Sequence, residues 1–131
     1  MSKMNFTIPI APRSKKNHGQ IITVKGRPMM IPSKQYLAYE KACKPCLEGL
    51  VETPIDSPIN IKAIFYMDTK RKVDLVNLEQ ALCDVLVKYK VIADDNNTII
   101  ASMDGSRVGY DKENPRTEVE ITALREKGRA T

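Results

Sequence analysis

The run Lys70-Arg71-Lys72-Val73-Asp74-Leu75-Val76-Asn77-Leu78 sets a carboxylate and a carboxamide directly after three cations, at the opening of an apolar-striped segment. A second acidic stretch, Asp94-Asp95-Asn96-Asn97, follows that segment. Hard carboxylate and amide oxygens are the donors Mg²⁺ prefers, and Lys and Arg side chains hold phosphate. A bound Mg²⁺ lowers the pKa of its water and offsets the charge of a phosphodiester under attack. Together these residues point to metal-assisted phosphodiester hydrolysis, provided the two acidic stretches meet. Between them lies a helical pattern of ~16 residues, a rod of ~24 Å, so the chain after the helix must travel back towards its start. The same residues also suit local roles: Asp74 as a helix N-cap, and Asp94 to Asn97 as turn formers.

Other chemistries find little support. His18 is the single histidine and sits in a basic, polar stretch, which argues against a Ser–His–Asp or Cys–His machine. Gly26, Gly49, Gly105 and Gly109 are isolated, so no glycine-rich phosphate loop is present. Cys43-Lys44-Pro45-Cys46 is a C-x-x-C deep in a helical pattern rather than at a helix start. It reads as two small thiols on one helix face, not as a redox pair or half a zinc site.

Charge placement strengthens the phosphate reading. Residues 1–30 hold six Lys or Arg and no Asp or Glu, and this segment accounts for the excess behind the net charge of +5. Arg13, Lys15, Lys16 and Asn17 form one candidate nucleic-acid contact. Lys25 and Arg27 form another, and Lys70, Arg71 and Lys72 a third. A length of 131 residues suits a single domain, expected over 1–131. No stretch reaches the ~18–20 apolar residues of a membrane span, and the apolar run in MSKMNFTIPIAPR is too short for a signal peptide. Three cysteines give no disulfide framework. The expectation is a soluble cytoplasmic protein.

The elements that must position these residues are legible in the patterning. Met4, Phe6, Ile8 and Ile10 alternate, predicting a strand that Pro9 places at a sheet edge or brings to an end. Pro12 to Gly19 is a loop, and residues 20–31 form a hairpin turning at Lys25-Gly26-Arg27. Ser33 caps a helix near 34–50, which Pro45 should kink or stop around Lys44. Ile59–Tyr66 alternates as a central strand. Leu75, Leu78, Leu82, Val85, Leu86 and Tyr89 stripe a helix from Asp74 to about Lys90. Strands follow at Thr98–Met103 and Thr117–Leu124, with irregular chain between them and a frayed tail at 125–131. The order predicts an α+β fold with one mixed sheet and two main helices.

In these segments the chain resembles the RusA-type Holliday-junction resolvases, small phage and prophage endonucleases that cut four-way DNA junctions. The resemblance rests on Lys70 to Leu78, on Leu82-Cys83-Asp84-Val85-Leu86, on Ile92-Ala93-Asp94-Asp95-Asn96, and on the N-terminal strand with Pro9, Pro12 and Ser14 to Asn17. It implies an intertwined homodimer that uses Mg²⁺, or Mn²⁺, to make paired cuts in DNA, with no small-molecule substrate. Asp74 matches the first metal-site Asp, Asp95 the acidic residue of the later pair with Asp94 beside it, and Asn77 the signature Asn. Two positions depart from the pattern. Val76 stands where a second Asp is usual, and Gln80 where a Lys is common. Asp68, the Asn77 amide oxygen and Asp104 are the candidates to replace the missing ligand. The alternative is a DNA-binding relative with weak or no cleavage.

Overall fold

The computed structural model describes residues 3–15 and 20–124. The expected loop positions Lys16, Asn17 and His18 and the expected frayed tail lie outside the described residues. The elements in chain order are β1 (Lys3–Ile8), β2 (Gln20–Val24), β3 (Arg27–Ile31), α1 (Lys34–Leu47), β4 (Ile59–Met67), α2 (Leu75–Lys88), β5 (Ile100–Ser102), β6 (Arg107–Tyr110) and β7 (Arg116–Ala123). The main sheet runs β1-β7-β4-β5, with β6 also on β4. Antiparallel pairs β1·β7 and β7·β4 adjoin parallel pairs β4·β5 and β4·β6, so the sheet is mixed and the fold is α+β, as the patterning predicts.

Strand β4 organises the whole. Ile59, Ile61, Ala63, Phe65 and Met67 point into the core, and the residues between them are half-buried on the other face. The inward set packs with Tyr36, Cys43 and Leu47 of α1 and with Leu78, Leu82, Val85 and Leu86 of α2. Period-2 and period-3.6 stripes thereby close on each other, which is what makes both elements stable. Strand β1 lies at the sheet edge and ends at Ile8, because Pro9 has no N–H to extend the ladder.

Helix α1 departs from expectation at its end. Ser33 caps it, its side chain accepting from the Tyr36 N–H at 3.1 Å, but the helix runs past Pro45 to Leu47. The proline removes one N–H in the last turn, where fully buried Cys43 and Leu47 hold the chain against the core. Gly49, at φ 80°, then turns the chain away.

Strand β6 was not expected from the sequence. It is four residues long, and its Gly109 lies opposite Tyr66, where an added Cβ would sit 3.0 Å from the ring. Between β5 and β6 the Ser106 hydroxyl completes the ladder. It accepts from the Ala63 N–H at 3.0 Å and donates to the Ile61 carbonyl at 3.3 Å. The β2–β3 hairpin forms its own two-stranded sheet, turning through Lys25 at φ 51° and Gly26 at φ 78°.

Helix α2 is closed at both ends. Asp74 caps the start, and Lys90 ends it at φ 63°. There the Lys90 N–H bonds the Val87 carbonyl at 3.1 Å and the Val91 N–H bonds the Leu86 carbonyl at 2.8 Å. Fully buried Leu82 lies in the middle of the helix. Leu82→Ala should destabilise the protein by about 2–5 kcal/mol, measured by urea unfolding.

Candidate active site

Strand β4 ends at Met67, and the seven residues before α2 curve into a cavity of about 530 Å³. Its lining includes Arg13, Asp68, Arg71, Lys72, Asp74 and Asn77. The wall thus carries carboxylates, an amide and cations in one place.

Asp74 reaches this wall because it is the N-cap of α2, with extended backbone at φ −89°, ψ 112°. Its Oδ1 accepts the Val76 N–H at 3.0 Å. The second oxygen, Oδ2, makes no hydrogen bond or ion pair with a described residue. Asn77 follows on the first turn and faces the same cavity. The cap reading of Asp74 is thus met by one oxygen, and no described residue engages the other.

Asp68 is held differently. The Arg13 guanidinium donates from Nη1 to Oδ1 and from Nη2 to Oδ2, each at 3.2 Å, while Nη1 also reaches the Pro12 carbonyl at 2.9 Å. This fork holds the Asp68 carboxyl below its ordinary pKa. Farther along the same strap, Lys15 bonds Asp84 of α2 at 2.9 Å and lies 5.5 Å from the Tyr36 ring centre. Lys70 lies 5.0 Å from the Tyr110 ring centre. Arg71 and Lys72 are exposed and form no ion pair with a described residue.

The structure thus brings together Arg13, Arg71, Lys72, Asp74 and Asn77 on one lining. It does not put Asp94, Asp95, Lys15, Lys25, Arg27 or Lys70 there. Asp94 and Asp95 are exposed in the turn after α2. There the Asp95 N–H bonds Asp94 Oδ1 at 2.7 Å and the Asn96 side-chain amide bonds Asp94 Oδ2 at 3.1 Å. The residues leading into this turn are tied to Ile55, upstream of β4, through Ile55 N–H to Val91 at 3.0 Å and Ala93 N–H to Ile55 at 2.9 Å. Burial, then the charge of Asp95, pushes the Cys83 thiol on α2 up to about 12.

Asp104 is set apart. Its N–H and carbonyl bond the Asn60 side chain at 2.8 and 3.2 Å, at the start of β4. Eight residues of strand, about 26 Å, separate Asn60 from Asp68. Asp104 is therefore no replacement ligand for the cavity of its own chain. Among the described residues no group of three or more His, Cys, Asp or Glu side chains is gathered tightly enough to hold a metal. Nor is the C-x-x-C poised for redox work: burial pushes the Cys43 thiol up to about 12, and the three cysteines are unpaired.

The sequence patterning did not reveal the Arg13–Asp68 fork. Its members are 55 positions apart, and no local spacing signals such a pair. The opposite charges of the Pro12–Lys15 strap and the strand-end Asp68 were the available hint.

Fold and cavity define a class: an α+β protein whose central strand and capped helix build a cleft of oxygen donors and cations, suited to phosphate esters. Residues 9–122 match the family model of the endodeoxyribonuclease RusA. The match covers most of the chain, and the protein belongs to the RusA endodeoxyribonuclease family. Nucleases of this family act on DNA junctions and depend on a divalent metal. No curated protein matches this sequence significantly. No helix among the described residues is long and apolar enough to cross a membrane.

The depressed Asp68 carboxyl has a readable sign. A folded pKa below the unfolded value of about 4 makes the pair stabilising above that pH, and the benefit fades as pH falls through the folded value. Arg13→Gln should raise the Asp68 carboxyl midpoint in an NMR titration. The stabilities of variant and wild type should converge in acid.

Proposed function

We propose that this protein is a Mg²⁺-dependent endonuclease that resolves four-way DNA junctions by paired phosphodiester hydrolysis, with Mn²⁺ able to substitute. The observation that carries this reading is Asp74, a helix-capping carboxylate whose second oxygen no described residue engages, on a cavity walled by Arg71, Lys72 and Asn77. The donor chemistry fits the metal. Mg²⁺ keeps most of its waters and takes one or two carboxylates plus substrate phosphate, so a dense protein cage is not required. Bound there, the metal supplies an activated water and offsets charge on the scissile phosphate. Asp74 and Asn77 would hold it, while Arg71 and Lys72 would seat the DNA backbone at the cavity mouth.

Asp95, with Asp94 beside it, is proposed as a further acidic contribution on the strength of the family pattern, although both lie outside this cavity lining. Lys15, Lys16, Asn17, Lys25, Arg27 and Lys70 are proposed as further DNA contacts. A homodimer is proposed because two symmetric cuts call for two related sites. The hairpin supports it: Ile21, Met29 and Met30 are 71%, 50% and 66% exposed on a two-stranded sheet that would be marginal alone. The protein is proposed to act in the cytoplasm of a bacterial host, encoded by a phage or prophage.

One observation favours a second reading, a DNA-binding relative with weak cleavage. Val76, 65% exposed beside the cap, offers no oxygen where the family pattern carries Asp.

Asp74→Asn separates the readings, because Asn caps a helix as well as Asp and leaves the fold intact. It should lower cleavage of a synthetic four-way junction by at least roughly the 10–100-fold that impaired metal sites lose, with junction affinity retained. Wild-type protein that never cleaves in Mg²⁺ or Mn²⁺ would establish the second reading. Asp95→Asn with undiminished cleavage would remove Asp95 from the site. Arg71→Glu/Lys72→Glu should weaken binding and reduce the slope of log affinity against log salt by about two, near 0.9 per phosphate contact.

A further inference from the structure

We propose that Asp68 is the second metal-binding carboxylate of this cavity, standing in for the acid that Val76 lacks, and that Arg13 guards it until DNA phosphate arrives. This rests on the reading of Asp74 as the metal centre. Asp68 and Asp74 are the two carboxylates on the cavity lining, reached from the end of β4 and the start of α2. Both Asp68 oxygens are occupied by the Arg13 fork. The partners are 31% and 32% exposed, and ion pairs that open to water are weak enough to exchange.

The competition follows from charge. A guanidinium on Asp68 cancels the field a cation would feel there and covers its oxygens. The same guanidinium fits phosphate in a two-pronged mode, and it already stands on the wall with Arg71 and Lys72. A backbone phosphate seated among these cations draws Arg13 away and bares Asp68. Metal and DNA then favour each other's binding, and the coupling is reciprocal. Val76 thereby ceases to be a simple deficit: the missing acid is supplied by one that substrate unmasks.

Two mutant cycles test this, both using the intact chain and neither reading activity. The first is Mn²⁺ binding by calorimetry without DNA. Arg13→Gln should tighten it roughly two- to fivefold, the scale of an exposed ion pair. Asp68→Asn should weaken it roughly tenfold, and the double variant should match Asp68→Asn. The second is junction binding in chelator. Asp68→Asn should tighten it by freeing Arg13, and that gain should vanish in the Arg13→Gln background. The proposal is overturned if Arg13→Gln leaves Mn²⁺ affinity unchanged, or if its gain persists without the Asp68 carboxylate. Broadening of the Asp68 carboxyl carbon signal by Mn²⁺ gives a reading independent of stability, and its absence while Asp74 broadens overturns the assignment. Unchanged Mn²⁺ affinity in Asp74→Asn instead overturns the underlying metal centre.

Discussion

An α-helix begins with N–H groups that have no partner in the helix, and in α2 one of these is taken by a carboxylate that also faces a cavity. Asp74 accepts the Val76 N–H with one oxygen and stands on the lining of the cavity. This bond helps set where α2 starts, just before Asn77 on the first turn and just after residues 68–73, which carry Arg71 and Lys72. The helix end adds partial positive charge to the same corner, which already favours anions. Site and fold therefore share one hydrogen bond.

The sheet supplies the other half of the positioning. Strand β4 is bonded to β7 along one side and to β5 and β6 along the other, with the Ser106 hydroxyl bridging the gap between those two short strands. That strand is bonded on both edges and buried on one face, and Asp68 directly follows its last residue, Met67. The Pro12–Lys15 strap crosses to this corner and is fastened twice, by Arg13 to Asp68 and by Lys15 to Asp84. Groups from three distant parts of the chain are thus held around one cleft.

Much of this was legible because it is periodic. The alternation of β4 and the apolar stripe of α2 are local signals that survive into the core, and Ser33 and Asp74 read as caps and are caps. What was not legible is non-local or short. Strand β6 has four residues, one a glycine admitted by its closeness to Tyr66, and so carries no alternation to detect. Pro45 reads as a helix stop, yet burial of Cys43 and Leu47 outweighs one lost N–H. The pairing of Arg13 with Asp68 spans 55 positions, and only folding makes it visible. The local run Lys70-Arg71-Lys72 did mark the Arg71–Lys72 wall, because clustered cations are apparent without any coordinates. Asp95 illustrates the opposite case: its family likeness is plain, but its relation to Asp74 depends on how the turn is carried past α2.

That carriage is governed by the left-handed residue at Lys90. With Val91 seated against Leu86, the chain leaves α2 at one fixed angle, and the fourteen-residue helix behaves as a gauge block between its two ends. The spacing from the cap at one end to the acidic turn beyond the other is thus set largely by the length of the helix. Lengthening or shortening that rod by a residue would turn the acidic turn by about 100° around the helix axis as well as shift it by about 1.5 Å.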